Sequence, residues 1–146
     1  RYPEAKVLGP PVGKKKISEL VKVDGGIEDL VDRDVSLTVV AGSKDRELIM
    51  IVKSGDRTSL VYTDAIFNMP HATGLQGFIL KHVMKSSGGP KVSRIGRLIL
   101  IKDKPAFAAQ LEQFATQGVT RVVVSHHEVI SVDPATKLRE VAASMR

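Results

Sequence analysis

The chain has 146 residues, which suits one domain able to bury roughly two thirds of its unfolded surface. Hydrophobic residues make up 42% and charged residues 26%, with no cysteine; disulfides and cysteine-ligated zinc or iron–sulfur centres are excluded, and a reducing, cytoplasmic compartment is expected. The net charge of +6 can attract nucleic acid or other acidic partners, whereas no apolar run approaches the roughly 18 residues of a membrane span and none reads as a secretory signal.

The chain opens Arg1-Tyr2-Pro3 without an initiator methionine, so a processed product or part of a longer protein is expected. Residues 5–8 read as a short buried strand stopped by Gly9-Pro10-Pro11. Residues 12–20 carry Lys14, Lys15 and Lys16 and predict a short basic helix, broken at Asp24-Gly25-Gly26. The β-branched run at 35–40, the apolar run at 48–52 and the run at 59–62 predict three strands. Short polar turns join them, at 42–46 and 53–57, so antiparallel pairing follows.

Residues 63–73 read as irregular. Leu75, Phe78, Ile79 and Val83 have helical spacing, which predicts a helix over 74–85. A loop is expected at 86–90, and 97–101 reads as either a strand or a buried helix end. Pro105 suits the first turn of a helix with an apolar stripe of Phe107, Leu111 and Phe114, stopped at Gly118. A buried strand is expected at 122–124. Asp133-Pro134 then caps a last helix with Leu138, Val141 and Ala142 facing inward. Helix, strand, polar turn and helix make an α/β pattern.

Two strand ends carry candidate chemistry. His126 and His127 follow the strand at 122–124, where α/β folds place ligands, and neighbouring extended residues point to opposite sides. Asp64 follows the strand at 59–62 and precedes Ala65-Ile66-Phe67, which predicts an acid near the core; a buried carboxylate needs a partner, a metal or several donors, and capping of the following turn is the simpler alternative. His71 either reaches the same cleft or sits at the surface by the helix entry. Glu128 either orients a ligand or is a solvated acid. Lys81, Lys85, Lys91, Arg94 and Arg97 form a basic stretch, read as a solvated face or as an attractor of acidic ligands. Aromatic residues are only 4%, so stacking on bases is poorly supplied and any nucleic-acid binding should be weak and salt-sensitive.

SLVYTDAIFN, at 59–68, resembles the aspartate motif of the metallo-β-lactamase fold, in which a strand delivers a metal-bridging aspartate. RVVVSHHEVI, at 121–130, resembles that superfamily's last motif, a strand followed by the final metal-binding histidine. KDKPAFAAQLEQFATQGVTRVVVSHHEVI has the matching helix–strand–histidine order. RYPEAKVLGPPVGKKK resembles the region after the first metal motif, where a helix feeds a short strand. The resemblance covers most of the chain and points to a bacterial branch of metallo-hydrolase-like proteins with degenerate metal motifs.

It implies a single domain that is the C-terminal half of an αββα sandwich: one mixed sheet, helices on its outer face, and an apolar inner face for the N-terminal half of the fold or an oligomer mate. It implies Asp64 as the bridging aspartate and His126 as the final histidine, with His127 where the motif has a small residue. The superfamily's HxHxDH motif is absent, and Ser43, in VVAGSKDREL, stands where the middle histidine is expected. The implied function is a metal-dependent hydrolase-like protein that uses zinc or another divalent ion, with a site incomplete within this chain. The alternative is a non-catalytic binding module whose basic surface takes acidic ligands or nucleic acid.

Overall fold

A two-residue parallel contact opens the chain: β1 (Leu8–Gly9) lies beside β2 (Gly25–Gly26) in the computed structural model, which describes residues 2–10, 12–45 and 47–146. Expectations at Arg1, Pro11 and Arg46 lie outside the described residues. The strand expected at 5–8 is thus confined to its end, because Ala5 N donates to Tyr2 O and closes a turn instead of joining a ladder. Asp24 fixes this corner, accepting from Val7 N at 3.0 Å and pairing with Lys22 at 2.9 Å. The Val7 amide first, and Lys22 next, hold its carboxyl below the usual carboxylate range. The basic helix shrinks to α1 (Lys14–Ser18), which buries no side chain; its run of lysines leaves no apolar stripe to dock.

The expected meander forms. β3 (Val35–Val39) pairs antiparallel with β4 (Leu48–Ser54), and β4 with β5 (Arg57–Tyr62). The chain then does what its local pattern hides. β6 (Phe67–Met69) and β7 (Gly89–Lys91) pair antiparallel within segments expected to be irregular and a loop. Three-residue strands that include or adjoin proline and glycine carry no readable period, so pairing with a partner defines them.

Between them, α2 (Gly74–Phe78) widens into a π-type turn at Ile79–Val83. The helix is where expected, but its stripe faces outward: Leu75 is 77% exposed, and Phe78, Ile79 and Val83 are exposed too. Gly77 is the buried residue. A β-carbon there would lie 1.8 Å from Ala72 O, so the backbone's close approach to 72 turns the glycine side inward and the apolar side out. Residues 97–101 turn helical, with a π-type turn at Gly96–Leu100, but Leu98 and Ile99 are exposed, so the turn is not the buried helix end expected.

The last third forms as patterned. Asp103 caps α3 (Lys104–Thr116) by accepting from Ala106 N at 3.0 Å, and Phe107, Leu111 and Phe114 are buried. The chain leaves through Gly118, at φ +70°, into β8 (Val119–Val124). Asp133 caps α4 (Pro134–Ala143) through Thr136 N at 3.3 Å, and Leu138, Val141 and Ala142 are buried.

β8 joins β5 in parallel, giving a mixed sheet in the order β3-β4-β5-β8 and a mixed α/β fold. α3 and α4 pack on each other and against β8. The core holds Ile49, Leu60, Tyr62, Val122 and Val124 together with the inner residues of both helices; full burial of one such leucine or valine is worth about 1.5–3 kcal/mol. Gln110 ties α3 to the end of β3, donating to Val39 O at 2.8 Å and accepting from Ala41 N at 2.9 Å. The other sheet face carries a row of cross-strand partners, Leu37, Met50, Val61 and Val123, of which Met50 is exposed and the rest half-buried. Among the described residues no helix is long and apolar enough to cross a membrane.

Tyr62 is buried, and its hydroxyl meets no hydrogen-bonding partner among the described residues. Burial pushes its phenol well above the ordinary value. A Tyr62→Phe protein should equal the parent or exceed it by up to about 1 kcal/mol in urea unfolding. A loss larger than about 1 kcal/mol would mean that the hydroxyl is bonded.

Candidate functional site

The parallel pairing of β5 and β8 builds the site. Leu60 lies opposite Val122 and Tyr62 opposite Val124. Two residues beyond each strand end, the same offset of 62 sets Asp64 opposite His126, and Asp64 Oδ1 lies 3.0 Å from His126 Nε2. One residue earlier, Ser125 Oγ donates to Thr63 O at 2.6 Å. Thr63 Oγ1 also bonds the Glu47 carboxylate, which anchors the end of β5 to the start of β4. The pair therefore stands at the carboxyl ends of adjacent parallel strands, where open α/β sheets hold ligands.

Phe67 orients the histidine. Its ring lies 4.5 Å from the His126 ring, with the planes 2° apart, an arrangement worth about 0.5–1.5 kcal/mol. Asn68 clamps the loop that carries His126: its amide N donates to His126 O at 3.3 Å, its side-chain nitrogen donates to Glu128 O at 2.8 Å, and its carbonyl accepts from Glu128 N at 3.2 Å. Stacking on one side and the clamp on the other leave Nε2 turned toward Asp64.

The acid is not near the core. Asp64 is 62% exposed and His126 45% exposed, while Ala65 and Ile66 are fully buried. The chain bends at the strand end so that the apolar pair enters the interior and the carboxylate stays outside. His127 does not take part in the pairing of Asp64 with His126. Its backbone is left-handed, at φ +74°, and its exposed side chain forms no hydrogen bond among the described residues.

His71 goes elsewhere, with Nδ1 3.2 Å from Ser87 Oγ. Glu128 holds Asn68 through its main chain, and its exposed carboxylate forms no hydrogen bond among the described residues. Among the described residues no group of three His, Cys, Asp or Glu side chains is placed to hold an ion, so neither joins Asp64 and His126 as a third ligand. Ser43 is buried in the turn between β3 and β4, where its hydroxyl accepts from Glu47 N at 3.4 Å. His82 lies against Phe78, with ring centroids 4.8 Å apart.

A second feature brings together residues that lie far apart in chain order. Lys81, Lys85, Lys91, Arg94 and Arg97 line one cavity of ≈ 790 Å³, with His71 and Ser87 on its wall, and Glu140 of α4 and Ser144 at its C-terminal cap completing it. The β6–β7 ribbon joins the two features, because Lys91 is the cross-strand partner of Phe67. Reasoning from sequence missed Phe67, Asn68 and Ser87. The available signal was the end of the aspartate motif itself, where Phe67 and Asn68 follow Asp64 by three and four residues; no local signal marks Ser87. No protein-family model and no curated protein sequence matches the chain.

Proposed function

We propose that this chain is the C-terminal portion of a metal-dependent, hydrolase-like protein of the metallo-β-lactamase fold, with Asp64 and His126 as its metal-binding side chains. The observation that carries the reading is the 3.0 Å approach of Asp64 Oδ1 to His126 Nε2 at the ends of parallel strands. The donor set fits zinc or another divalent ion: one carboxylate oxygen and one imidazole nitrogen, both open to solvent. A hydrolytic zinc takes about three protein ligands, so this reading assigns the remaining ligands to residues outside the 146. When bound, such an ion supplies Lewis-acid polarisation of a scissile group.

The chain's own residues do the positioning. Phe67 fixes the ring plane of His126, Asn68 holds its loop, and Ser125 and Thr63 hold the two strand ends together. The apolar row Leu37, Met50, Val61 and Val123 is, in this reading, the surface that the other half of the sandwich or an oligomer mate covers.

Zinc titration of the chain, followed through the ring resonances of its four histidines, tests the assignment. His126 should respond first, and Asp64→Asn should remove that response. A response led by His71 or His127 with His126 unmoved rejects the metal role.

A further inference from the structure

We propose that the basic cavity is a binding site for a small polyanion that carries two or more phosphate groups. Five basic side chains converge on it, and among the described residues Glu140 is the only carboxylate in its lining. That carboxylate is already paired with Lys137 at 2.8 Å. Among the described residues none of Lys81, Lys85, Lys91, Arg94 and Arg97 has a carboxylate within ion-pairing distance. Like charges gathered around a concave, low-dielectric wall repel one another, and a multivalent anion relieves that repulsion at each of them.

The cavity is partly pre-set for this task. Arg97 is half-buried and locked: its guanidinium donates to Ser144 O at 2.9 Å, Ser144 Oγ at 3.0 Å and Val92 O at 3.3 Å. It supplies fixed positive potential on the wall. Lys81 and Arg94 are exposed, and their side chains form no hydrogen bond among the described residues, so their donors are free for ligand oxygens. Arginine presents a planar fork that matches phosphate in a bidentate manner, which favours phosphate as the group recognised.

The lining also argues against nucleic acid. A volume of ≈ 790 Å³ lies within the roughly 300–1,000 Å³ of small-molecule sites. Among the described residues no phenylalanine, tyrosine or tryptophan lines it, which leaves His71 as the one aromatic ring on which a base could stack. This site does not depend on the metal reading of Asp64 and His126.

Calorimetric titration of the chain with inorganic tripolyphosphate in metal-free buffer of about 0.15 M ionic strength, where charges more than about 8 Å apart are largely screened, tests the proposal. One saturable site is expected. The double variant Lys81→Gln/Arg94→Gln should weaken binding by about tenfold or more, since charge-assisted bonds are lost. Replacing Lys14, Lys15 and Lys16 together by Gln removes more charge from another surface and should change the affinity by no more than about twofold. Glu140→Gln should tighten binding by about two- to fivefold by removing the one like charge, and this decides the matter even if the double variant fails to fold.

Four results would overturn the site: no saturable binding, equal weakening by the two sets of lysine and arginine changes, no gain from Glu140→Gln, or citrate binding as tightly as tripolyphosphate. A single-stranded oligonucleotide binding more tightly than tripolyphosphate would make the face a nucleic-acid surface instead.

Discussion

A Gly42→Ala protein should lose roughly 3–5 kcal/mol of stability, the upper end of what single substitutions cost, through overpacking and backbone strain together. Gly42 sits at φ +76°, where an L-residue is strained. Space is the greater obstacle, because a β-carbon would lie 2.1 Å from Asp103 O, a backbone atom that cannot step aside alone. The same glycine carbonyl accepts from Lys102 N at 2.7 Å and Asp103 N at 3.2 Å, so moving the loop breaks the join between the β3–β4 turn and the start of α3. Gly55 is the control. It has φ +61° and nothing within 4 Å of a built β-carbon, so Gly55→Ala isolates the strain and should cost about 1 kcal/mol. Urea unfolding of both variants measures the difference. Equal costs would mean that Gly42 does not pack on Asp103.

Loss of His126 should be the largest functional effect. In a protein or complex that supplies the further ligands, His126→Ala should lower metal affinity beyond the roughly 10–100-fold that loss of an outer partner costs. His127→Ala should leave it within about twofold, because its exposed ring forms no hydrogen bond with Asp64 among the described residues. Metal content per chain, measured on both variants after equal dialysis, checks this. His126→Ala also gives up its stacking on Phe67, so a Phe67→Leu protein is needed beside it; that change keeps the imidazole and should cost less metal than His126→Ala. Equal losses in the two histidine variants would show that the pair acts together, and full retention in His126→Ala would leave the histidine as a polar strand end hydrogen-bonded to Asp64.

The elements that could be read from residues alone were those that carry their own local instructions. The α3 stripe of Phe107, Leu111 and Phe114 behind Pro105, the Asp133-Pro134 start of α4 and the β-branched or apolar runs of β3, β4 and β5 each carry a local pattern with a start or stop signal. Local hydrogen bonding and the burial of one face are enough to select those structures. The two ends of the candidate site were legible for the same reason: Asp64 and His126 each follow an apolar run.

What local pattern could not supply was anything that depends on a distant partner. β6 and β7 are three residues each and exist as strands because they find one another. The helix at 74–83 has a sound apolar spacing, yet Gly77 must meet Ala72, and that approach rotates the stripe into solvent. Asp64 reads as a core acid beside Ala65 and Ile66, but a bend sends those two inward and leaves the carboxylate outside. The basic residues from Lys81 to Arg97 are visible as charge in the sequence, whereas their closure around a cavity depends on α4, more than forty positions downstream, packing behind Arg97 through Ser144. The meeting of Asp64 and His126 rests on the parallel register of β5 and β8, because a one-residue slip would turn one of the two side chains to the other face of the sheet. Period and capping act over a few residues, while register and approach are set by packing energy summed across the whole core, and so they become readable only in three dimensions.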